Sequence, residues 1–294
     1  MERFSSVLPW FVLPFGWRTS VQALRLIFTV LRDFFLLQQK RRFRLVRIPL
    51  IYVDTELDDK IPFCPDKIGV YMGFIGFFVR PLTMMIRRFG YRKAAPYCNS
   101  FVSYIRSLYV NASSVYRFCM TTTHRPDYRE SAAFRTIHRA DPHYLCVPSL
   151  HVSIAAGTYA WMRNFLNSGL FPEEERRLRL DEILDSALAI TESVLFVKQH
   201  SVNCIPVALY MITSTSEKEF FTAEDAVMFM SRLFRNSPEI PPGVREEITE
   251  YFIFMYERTF LENVYSDSWQ DCIRHWLLDF AEATGQRIDC GGRT

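Results

Sequence analysis

The distribution of apolar residues along the chain predicts a helical protein with few strands. Apolar residues recur every three or four positions from Val21 to Leu37, which is typical of an amphipathic helix. Further helix starts are expected at Thr222 and at Pro241 and Pro242. The last helix is expected to begin at Ser266 and end before Gly285, with its aromatic residues in the core. The best strand signal is short and runs from 47 to 53.

Two long uncharged runs raise the question of membrane insertion. They extend over 142–162 and 199–216, and they approach the length of about 20 residues that a spanning helix needs. The helix at 21–37 carries charges and leads into a basic stretch at 40–47. That order fits an amphipathic helix at an anionic surface, and it also fits the solvated face of a soluble helix. Both interpretations stay open from this segment alone.

Charged segments divide the chain into three regions. The segment 172–182 is predicted to be a solvent-exposed connection between helices, and the chain after Glu217 is predicted to be a soluble helical region. We therefore expect an N-terminal amphipathic and basic region at 1–59, a helical core at 60–216 and a helical C-terminal region at 217–294.

Composition narrows the class of protein. Glycine is scarce at 11 residues and phenylalanine abundant at 26, which favours packed helices over sheets. The 35 basic and 32 acidic side chains leave a net charge of +3, too weak a field to indicate nucleic acid. Seven cysteines are spread singly, so zinc or redox spacing is absent, and reduced, mostly buried thiols are expected.

Residue types suited to phosphoryl transfer accompany two histidines. His151 lies just after Pro148 and Ser149 at a predicted helix start, where free backbone N–H groups attract anions. His200 follows His151 by 49 residues and comes two residues after Lys198. Arg125, within the sequence His-Arg-Pro at 124–126, offers a planar guanidinium. A phosphate needs such cations and N–H donors, a nucleophile, and an acid for the leaving oxygen.

These motifs resemble a known enzyme family. The sequence Pro-Ser-Leu-His at 148–151 is similar to the central motif of the type 2 phosphatidic acid phosphatase superfamily, and 193–200 is similar to its third motif. The ending Lys-Gln-His is closest to the inositol-phosphorylceramide-synthase-like branch. Arg-Pro at 125–126 looks like the end of the first motif, and Lys60 to Pro65 also resembles that branch. The resemblance covers roughly residues 60–211.

The resemblance implies both a fold and an assignment of roles. The fold would be an all-α helical bundle of the type 2 phosphatidic acid phosphatase kind, with the C-terminal helices added. His200 would be the nucleophile that forms a phosphohistidine, and His151 the acid that protonates the departing oxygen. Arg125, Ser149 and Lys198 would hold the phosphate oxygens. Such enzymes use neither a metal nor another cofactor.

The chain departs from the family pattern at three positions. The family places an aspartate four residues after the nucleophilic histidine to orient it, and this chain has Cys204 there. Asn203, one residue earlier, is the other possible orienting group. Val194 stands where the third motif has an arginine, and Phe118 stands where the first motif has a basic residue. His138 and His143, which flank the central motif, are interpreted as loop residues.

The preferred hypothesis is a phosphatase or phosphotransferase that acts on a phosphorylated lipid or an isoprenoid-like phosphate ester. The protein is expected to be integral to a membrane or tightly associated with one, and not to bind nucleic acid. The alternative is a catalytically impaired family member or a membrane-associated helical scaffold. In that case the basic cluster contacts anionic lipid and the C-terminal helices recruit an unknown protein partner.

Overall fold

A computed structural model describes Met1 and residues 4–217 and 220–288 of the chain. It is 68% helical and 2% strand, so the prediction of an all-α protein is confirmed at that level. Cys290 and the last residues of the expected C-terminal region lie outside the described residues. Of the cysteines within them, all are free; Cys64 is half-buried and the others are buried, as expected.

The described residues contain thirteen α-helices and two short strands, with brief π and 3-10 segments between some of the helices. In chain order these elements are α1 (Leu8–Val12), α2 (Ser20–Val30), a π-helical segment (Leu31–Leu36), α3 (Leu37–Arg42), β1 (Leu50–Tyr52), α4 (Glu56–Asp59), a 3-10 turn (Pro65–Lys67), α5 (Ile68–Met72), α6 (Phe74–Tyr116), β2 (Met120–Thr122), α7 (Ala132–Ala140), α8 (Leu150–Leu166), α9 (Glu173–Phe196), α10 (Cys204–Thr215), α11 (Ala223–Arg232), α12 (Pro242–Glu262), a 3-10 turn (Asn263–Tyr265) and α13 (Trp269–Ala283).

The first long helical element is a continuous rod formed by α2, the π-helical segment and α3, which we call the N-terminal rod (residues 20–42). It packs against α6 along one side. Asp33 on that side is buried and accepts hydrogen bonds from Arg32 and from Arg117 at the end of α6. The amphipathic helix expected at 21–37 is therefore confirmed, and an ion pair between the buried Asp33 and the half-exposed Arg117 ties it to the end of α6.

Helix α6 is long but not straight. At Gly90 the backbone leaves the helical region with a φ of 71°, a conformation that glycine adopts without steric cost. The helix also contains Pro81 and Pro96. The part of the chain from Pro65 to Tyr116 is the one stretch of the described residues long and apolar enough to cross a bilayer, and half of its apolar window is buried inside the protein. Core helices of soluble proteins have the same properties.

The two uncharged runs expected as possible spans form core helices instead. Helix α8 packs against α6, α9 and α10, and nearly all of its side chains are buried by these neighbours. Helix α10 is buried along most of its length and has only 12 residues. Neither run is among the described stretches that are long and apolar enough to cross a bilayer, and the apolar surfaces of both helices face other helices.

The strand signal at 47–53 is confirmed by β1. It pairs in parallel with β2, with Leu50 opposite Met120 and Tyr52 opposite Thr122. On the other side of β2, a single bridge joins Thr121 to Leu145 in the segment before α8. This small sheet therefore fixes the loop that carries the central motif.

One predicted connection is a helix. The segment 172–182 was expected to be an exposed linker, but α9 begins at Glu173 and continues through it. Glu173, Glu174 and Glu175 occupy the first turn, where carboxylates interact favourably with the helix dipole, and Arg176 pairs with Glu173. The charges therefore stabilise the start of a helix, and the actual connection is shorter and precedes Pro172.

The C-terminal helices begin close to where the sequence predicts. Thr222 caps α11 with a capping box, Pro241 precedes α12, and Ser268 precedes α13. Helices α11, α12 and α13 all contact α10. On α13, Ile273 and Trp276 are buried as expected, so this helix completes the core.

Candidate active site

The loop that carries the central motif is held by the small sheet. The backbone N–H of Thr121 donates to the carbonyl of Tyr144, and the N–H of Cys146 donates to the carbonyl of Thr121. The Tyr144 N–H also donates to Gln38 Oε1 of the N-terminal rod, at 3.0 Å. Ser149 then caps α8, because its Oγ accepts the N–H of Val152. The predicted helix start at Ser149 is thus confirmed.

His200 lies in the turn between α9 and α10, where it is buried. Its Nδ1 is 3.2 Å from the carbonyl oxygen of Cys146. A carbonyl oxygen only accepts hydrogen bonds, so Nδ1 carries the hydrogen and Nε2 keeps a free lone pair. The Oγ of Ser149 lies 3.4 Å from that Nε2. This arrangement leaves Nε2 as the nitrogen that can act as a nucleophile.

His151 faces His200 across a short gap. Its ring stacks on Tyr71 at 4.5 Å between centroids and lies 4.2 Å from the ring of Phe74. The centroids of the His151 and His200 rings are 5.5 Å apart, in an edge-to-face arrangement. The fold therefore brings together two imidazoles that are remote along the chain.

The cavity between these rings is small and partly apolar. It has a volume of about 20 Å³ and is lined by Phe34, Tyr71, Asp141, His143, Leu145, Leu150, His151 and His200. A space of this size holds about one water molecule. A phosphate group would therefore have to separate the two rings to enter.

Burial keeps the clustered histidines neutral. Desolvation lowers the pKa of His151 to about 3. Desolvation and the nearby His151 hold the pKa of His200 well below its ordinary value. A neutral ring is the form in which a histidine is a nucleophile, whereas a general acid must be protonated.

Arg125 does not line this cavity itself, but it pairs with Asp141, which does. Its Nη2 is 3.2 Å from Asp141 Oδ2, and its Nη1 donates to the Asp141 carbonyl at 3.3 Å. The Nε atom of Arg125 is buried and has no hydrogen-bond partner. That N–H remains available to an anion, and an unpaired buried donor is costly without one.

Lys198 is not brought to the histidine cavity. Its ammonium group donates to the carbonyl oxygen of Asp58. It lines a separate cleft of about 740 Å³, together with Arg125 and several acidic side chains, among them Asp54 and Asp59. The backbone at Lys198 is left-handed with a φ of 53° where α9 ends, and this turn carries the side chain toward α4. The residues predicted to form one site therefore line two cavities. The ion pair between Arg125 and Asp141 connects the two cavities.

Neither residue suggested to orient His200 has a hydrogen bond to it. The amide of Asn203 donates to the Val53 carbonyl and accepts from Tyr251. The sulfur of Cys204 is buried and accepts the Ser201 N–H. The Cys146 carbonyl, which the sequence motifs do not reveal, makes the contact with His200 instead.

Sequence reasoning missed a third buried histidine. His143 lies in the loop as predicted, but its ring is 6.3 Å from that of His200, and its Nε2 is 2.7 Å from Thr123 Oγ1. Its backbone N–H donates to Asp141, which links it to Arg125. The prediction that His138 lies in the loop is wrong. His138 lies on α7, which is capped by Ser131 and continues to Ala140.

An apolar groove leads from the surface to this site. It has a volume of about 420 Å³ and runs between the N-terminal rod and the start of α6. Leu31, Phe35 and Ile75 are among its lining residues, and at its inner end it reaches Asp141 and His151. Grooves of this size and character are typical of sites for small apolar ligands.

Within the described residues, histidine, cysteine and carboxylate side chains form no group of three or more placed to hold a metal ion. No protein-family model, curated protein or solved structure gives a significant match to the chain.

Proposed function

We propose that this chain is a metal-independent phosphatase or phosphotransferase of the type 2 phosphatidic acid phosphatase kind, acting on a lipid-like phosphate ester. The observation that carries the proposal is that His200, whose Nδ1 contacts the Cys146 carbonyl, lies 5.5 Å between ring centroids from a second imidazole, His151. Because the ring of His151 lines an apolar groove, the favoured substrate has a hydrocarbon portion. The helical bundle of that superfamily is part of the same proposal.

In the first step, the lone pair of His200 Nε2 attacks phosphorus, and the bond between phosphorus and the ester oxygen breaks. The electron pair stays with the departing oxygen, which takes a proton from His151. Positive charge develops on the His200 ring as the phosphohistidine forms. The Cys146 carbonyl, as acceptor of the Nδ1–H, stabilises that charge with its dipole.

In the second step, water or another alcohol attacks phosphorus, and His151 accepts its proton. The bond between Nε2 and phosphorus breaks and restores neutral His200. Water gives hydrolysis, and an alcohol gives transfer. The choice depends on which of the two reaches the phosphohistidine.

The protonation of His151 depends on the substrate. In the empty site, burial lowers the pKa of His151, so the ring is neutral. A phosphate dianion placed beside this ring favours the charged form and raises its pKa. The incoming ester therefore supplies the negative charge that makes His151 an acid.

In this proposal, three kinds of donor receive the phosphate oxygens. Ser149 offers its hydroxyl beside His200 Nε2, and the first turn of α8 offers backbone N–H groups at the positive end of the helix dipole. Arg125 offers its unpartnered Nε–H. We do not assign Lys198 to this set, because its ammonium group is bonded to Asp58.

Trapping the intermediate tests the proposal. The purified chain is incubated with a short-chain phosphatidic acid that carries a radiolabelled phosphate, then quenched and probed for acid-labile, alkali-stable label. We expect label on His200 in the wild type, none in His200→Gln, and normal label in His275→Gln, which changes an exposed histidine on α13. Phosphate release that persists in folded His200→Gln would remove the nucleophile assignment.

A second candidate is a catalytically impaired relative that acts as a membrane-associated scaffold. It is favoured by the position of Lys198 outside the histidine cavity and by Cys204 in place of the expected aspartate. Vanadate, a mimic of phosphate in its transition state, distinguishes the two. An enzyme is inhibited by vanadate and binds it with displacement of the His151 and His200 ring signals, whereas a scaffold leaves these signals unchanged.

A further inference from the structure

The N-terminal part of the chain carries an unusually large exposed apolar surface. Along the N-terminal rod, the exposed apolar residues follow the spacing of one helical face, and the short segment before the rod adds further exposed aromatics. We call this set the N-terminal apolar face; it consists of Val7, Trp10, Phe11, Phe15, Trp17, Val21, Leu24, Phe28, Leu31, Phe35 and Leu36. Phe15 is 82% exposed and Trp17 is 72% exposed. Contiguous patches of this kind mark interaction sites.

Nearly all charged side chains around the N-terminal apolar face are basic. Arg18, Arg25 and Arg32 are exposed at seven-residue intervals beside it. At the end of the rod, the exposed basic side chains are Lys40, Arg42, Arg44 and Arg47. Among the described residues before Asp54, the single acidic side chain is Asp33, and it is buried and already paired. The partner that complements this surface is apolar with an anionic border.

We infer that the N-terminal apolar face docks the protein onto one leaflet of an anionic lipid bilayer, with the rod lying in the plane of the membrane. Trp and Phe side chains enter the boundary between headgroups and acyl chains, and the basic side chains contact lipid phosphates. Long arginine side chains beside the apolar stripe keep their charged ends at the level of the headgroups.

The structure favours this in-plane arrangement over a spanning one. The rod carries Arg25, Arg32 and the buried Asp33 within a length that a bilayer core would cover. The one stretch of the described chain that is apolar enough to span is half buried by protein, and it is interrupted at Gly90 between Arg88 and Arg92. Docking leaves the arginines in water or at the interface and keeps Asp33 in its paired position inside the protein.

The groove that leads to His151 opens on the same surface. Trp10, Leu31 and Phe35 belong both to the N-terminal apolar face and to the groove lining. A lipid could therefore pass from the leaflet into the groove without exposing its chain to water. This route for the substrate rests on the proposed function, whereas docking itself does not.

Vesicle binding of the full chain, measured without substrate, tests the inference. We expect the wild type to co-sediment with vesicles of phosphatidylcholine and phosphatidylserine and to be released by alkaline carbonate. Phe28→Ser should weaken binding about tenfold, since a half-exposed aromatic loses its burial in lipid. Phe254→Ser is the matched control, because Phe254 on α12 is 63% exposed and Phe28 is 61% exposed.

Charge is tested by a second pair of variants. Lys40→Gln with Arg42→Gln should weaken binding to phosphatidylserine vesicles about fivefold for each charge and leave binding to pure phosphatidylcholine unchanged. Arg177→Gln with Arg232→Gln removes two exposed charges elsewhere and should have no effect. Circular dichroism melting verifies that each variant is folded.

Several results would overturn the inference. One is a wild type that stays in the supernatant with both vesicle types. Another is equal loss of binding in Phe28→Ser and Phe254→Ser. Resistance to carbonate, with external protease cleaving some sites and leaving others protected inside the vesicle, would show a spanning protein. A lipid-free dimer that Phe28→Ser dissociates, without vesicle binding, would assign the face to a second copy of the chain.

Discussion

The Nδ1 atom of His200 lies 3.2 Å from the carbonyl oxygen of Cys146, and this contact determines which nitrogen of the ring is free. Enzymes that use histidine as a base or nucleophile commonly orient it with a carboxylate. Here a backbone carbonyl takes that place. It fixes the same tautomer but carries only a partial charge, so it stabilises the charged ring less than a carboxylate would.

The tautomer of His200 can be observed directly. Nitrogen-15 spectra of the histidine-labelled protein at neutral pH should show His200 with a protonated Nδ1 and an unprotonated Nε2, because only Nδ1–H can bond to Cys146. The other tautomer, with its hydrogen on Nε2, should be much less populated in His200 than it is in free imidazole. A His200 ring protonated mainly on Nε2 would contradict the arrangement and remove the nucleophilic nitrogen from the site.

Arg125 and Lys198 should differ sharply in their effect on catalysis. Arg125→Gln removes the guanidinium that pairs with Asp141 of the histidine cavity and should lower kcat/KM on a short-chain lipid phosphate about 100-fold. Lys198→Met should change kcat/KM by less than about threefold, since its ammonium group bonds to Asp58. Equal losses in the two variants would show that Lys198 turns toward the phosphate in the bound state.

Cys204→Asp should not restore the carboxylate of the family pattern. The Cys204 side chain is fully buried, accepts the Ser201 N–H and has no bond to His200. A carboxylate placed there would be buried without a cation, at a cost of about 3 kcal/mol in the free energy of unfolding. Urea denaturation of Cys204→Asp should show this loss, and Cys204→Ser, similar in size and uncharged, should lose less. An unchanged stability with raised activity would place position 204 beside the nucleophile.

Acid should destabilise the fold through the buried histidines. Burial holds the pKa of His143 and of His200 well below the ordinary value of 6.5, with Arg125 contributing at His143 and His151 at His200. Below that value the unfolded chain binds protons that the folded chain does not. The stabilisation is therefore complete above about pH 6.5 and is lost as the pH falls, by about 1.4 kcal/mol per pH unit for each histidine.

The measurement is the free energy of unfolding in urea at about pH 7.5 and about pH 5. His143→Gln, whose amide can keep the contact with Thr123, should show a smaller decrease than the wild type. His275→Gln, at an exposed position, should show the same decrease as the wild type. A wild-type slope retained in His143→Gln would mean that the pKa of this ring is the same in the folded and the unfolded chain.

Gly157 tests how closely α8 packs against α6, and Gly69 is its control. A methyl group on Gly157 would lie 2.9 Å from Tyr104 Oη and 3.0 Å from Leu108 Cδ1, so Gly157→Ala should push α8 away from α6. We expect a loss of about 1–3 kcal/mol in the free energy of unfolding, despite the better helix propensity of alanine. Gly69→Ala on α5 meets no neighbour within 4 Å and should be neutral or stabilising. Thermal melting of both variants distinguishes packing from propensity.

Local signals in the sequence predicted the helix boundaries well. Ser149 and Thr222 act as caps through their own side chains, and Pro241 precedes a helix, so a few neighbouring residues determine these positions. The prediction of an exposed connection from the charged run at 172–182 was wrong for a related reason. Its carboxylates interact with the dipole of the helix that they begin, and charge alone does not distinguish a linker from a first turn.

The features that the sequence did not predict depend on tertiary structure. Hydropathy assigns the same value to α8 whether helices or lipids surround it, so it does not distinguish a core helix from a span at 142–162. Lys198 occupies the expected motif position, but the left-handed turn at the end of α9 sends its side chain to Asp58. The carbonyl of Cys146 has no side-chain signature at all. Of the candidate site, the two histidines and Ser149 were predictable as neighbours through the family motifs, and their orienting partner was not.

The bond from Tyr144 to Gln38 has a mechanical consequence. Gln38 lies near the end of the N-terminal rod, and Tyr144 is two residues before Cys146. A shift of the rod therefore also displaces the backbone segment whose Cys146 carbonyl oxygen orients the His200 ring. A displacement of the rod at the membrane surface inferred above would therefore be transmitted to the carbonyl group that contacts His200.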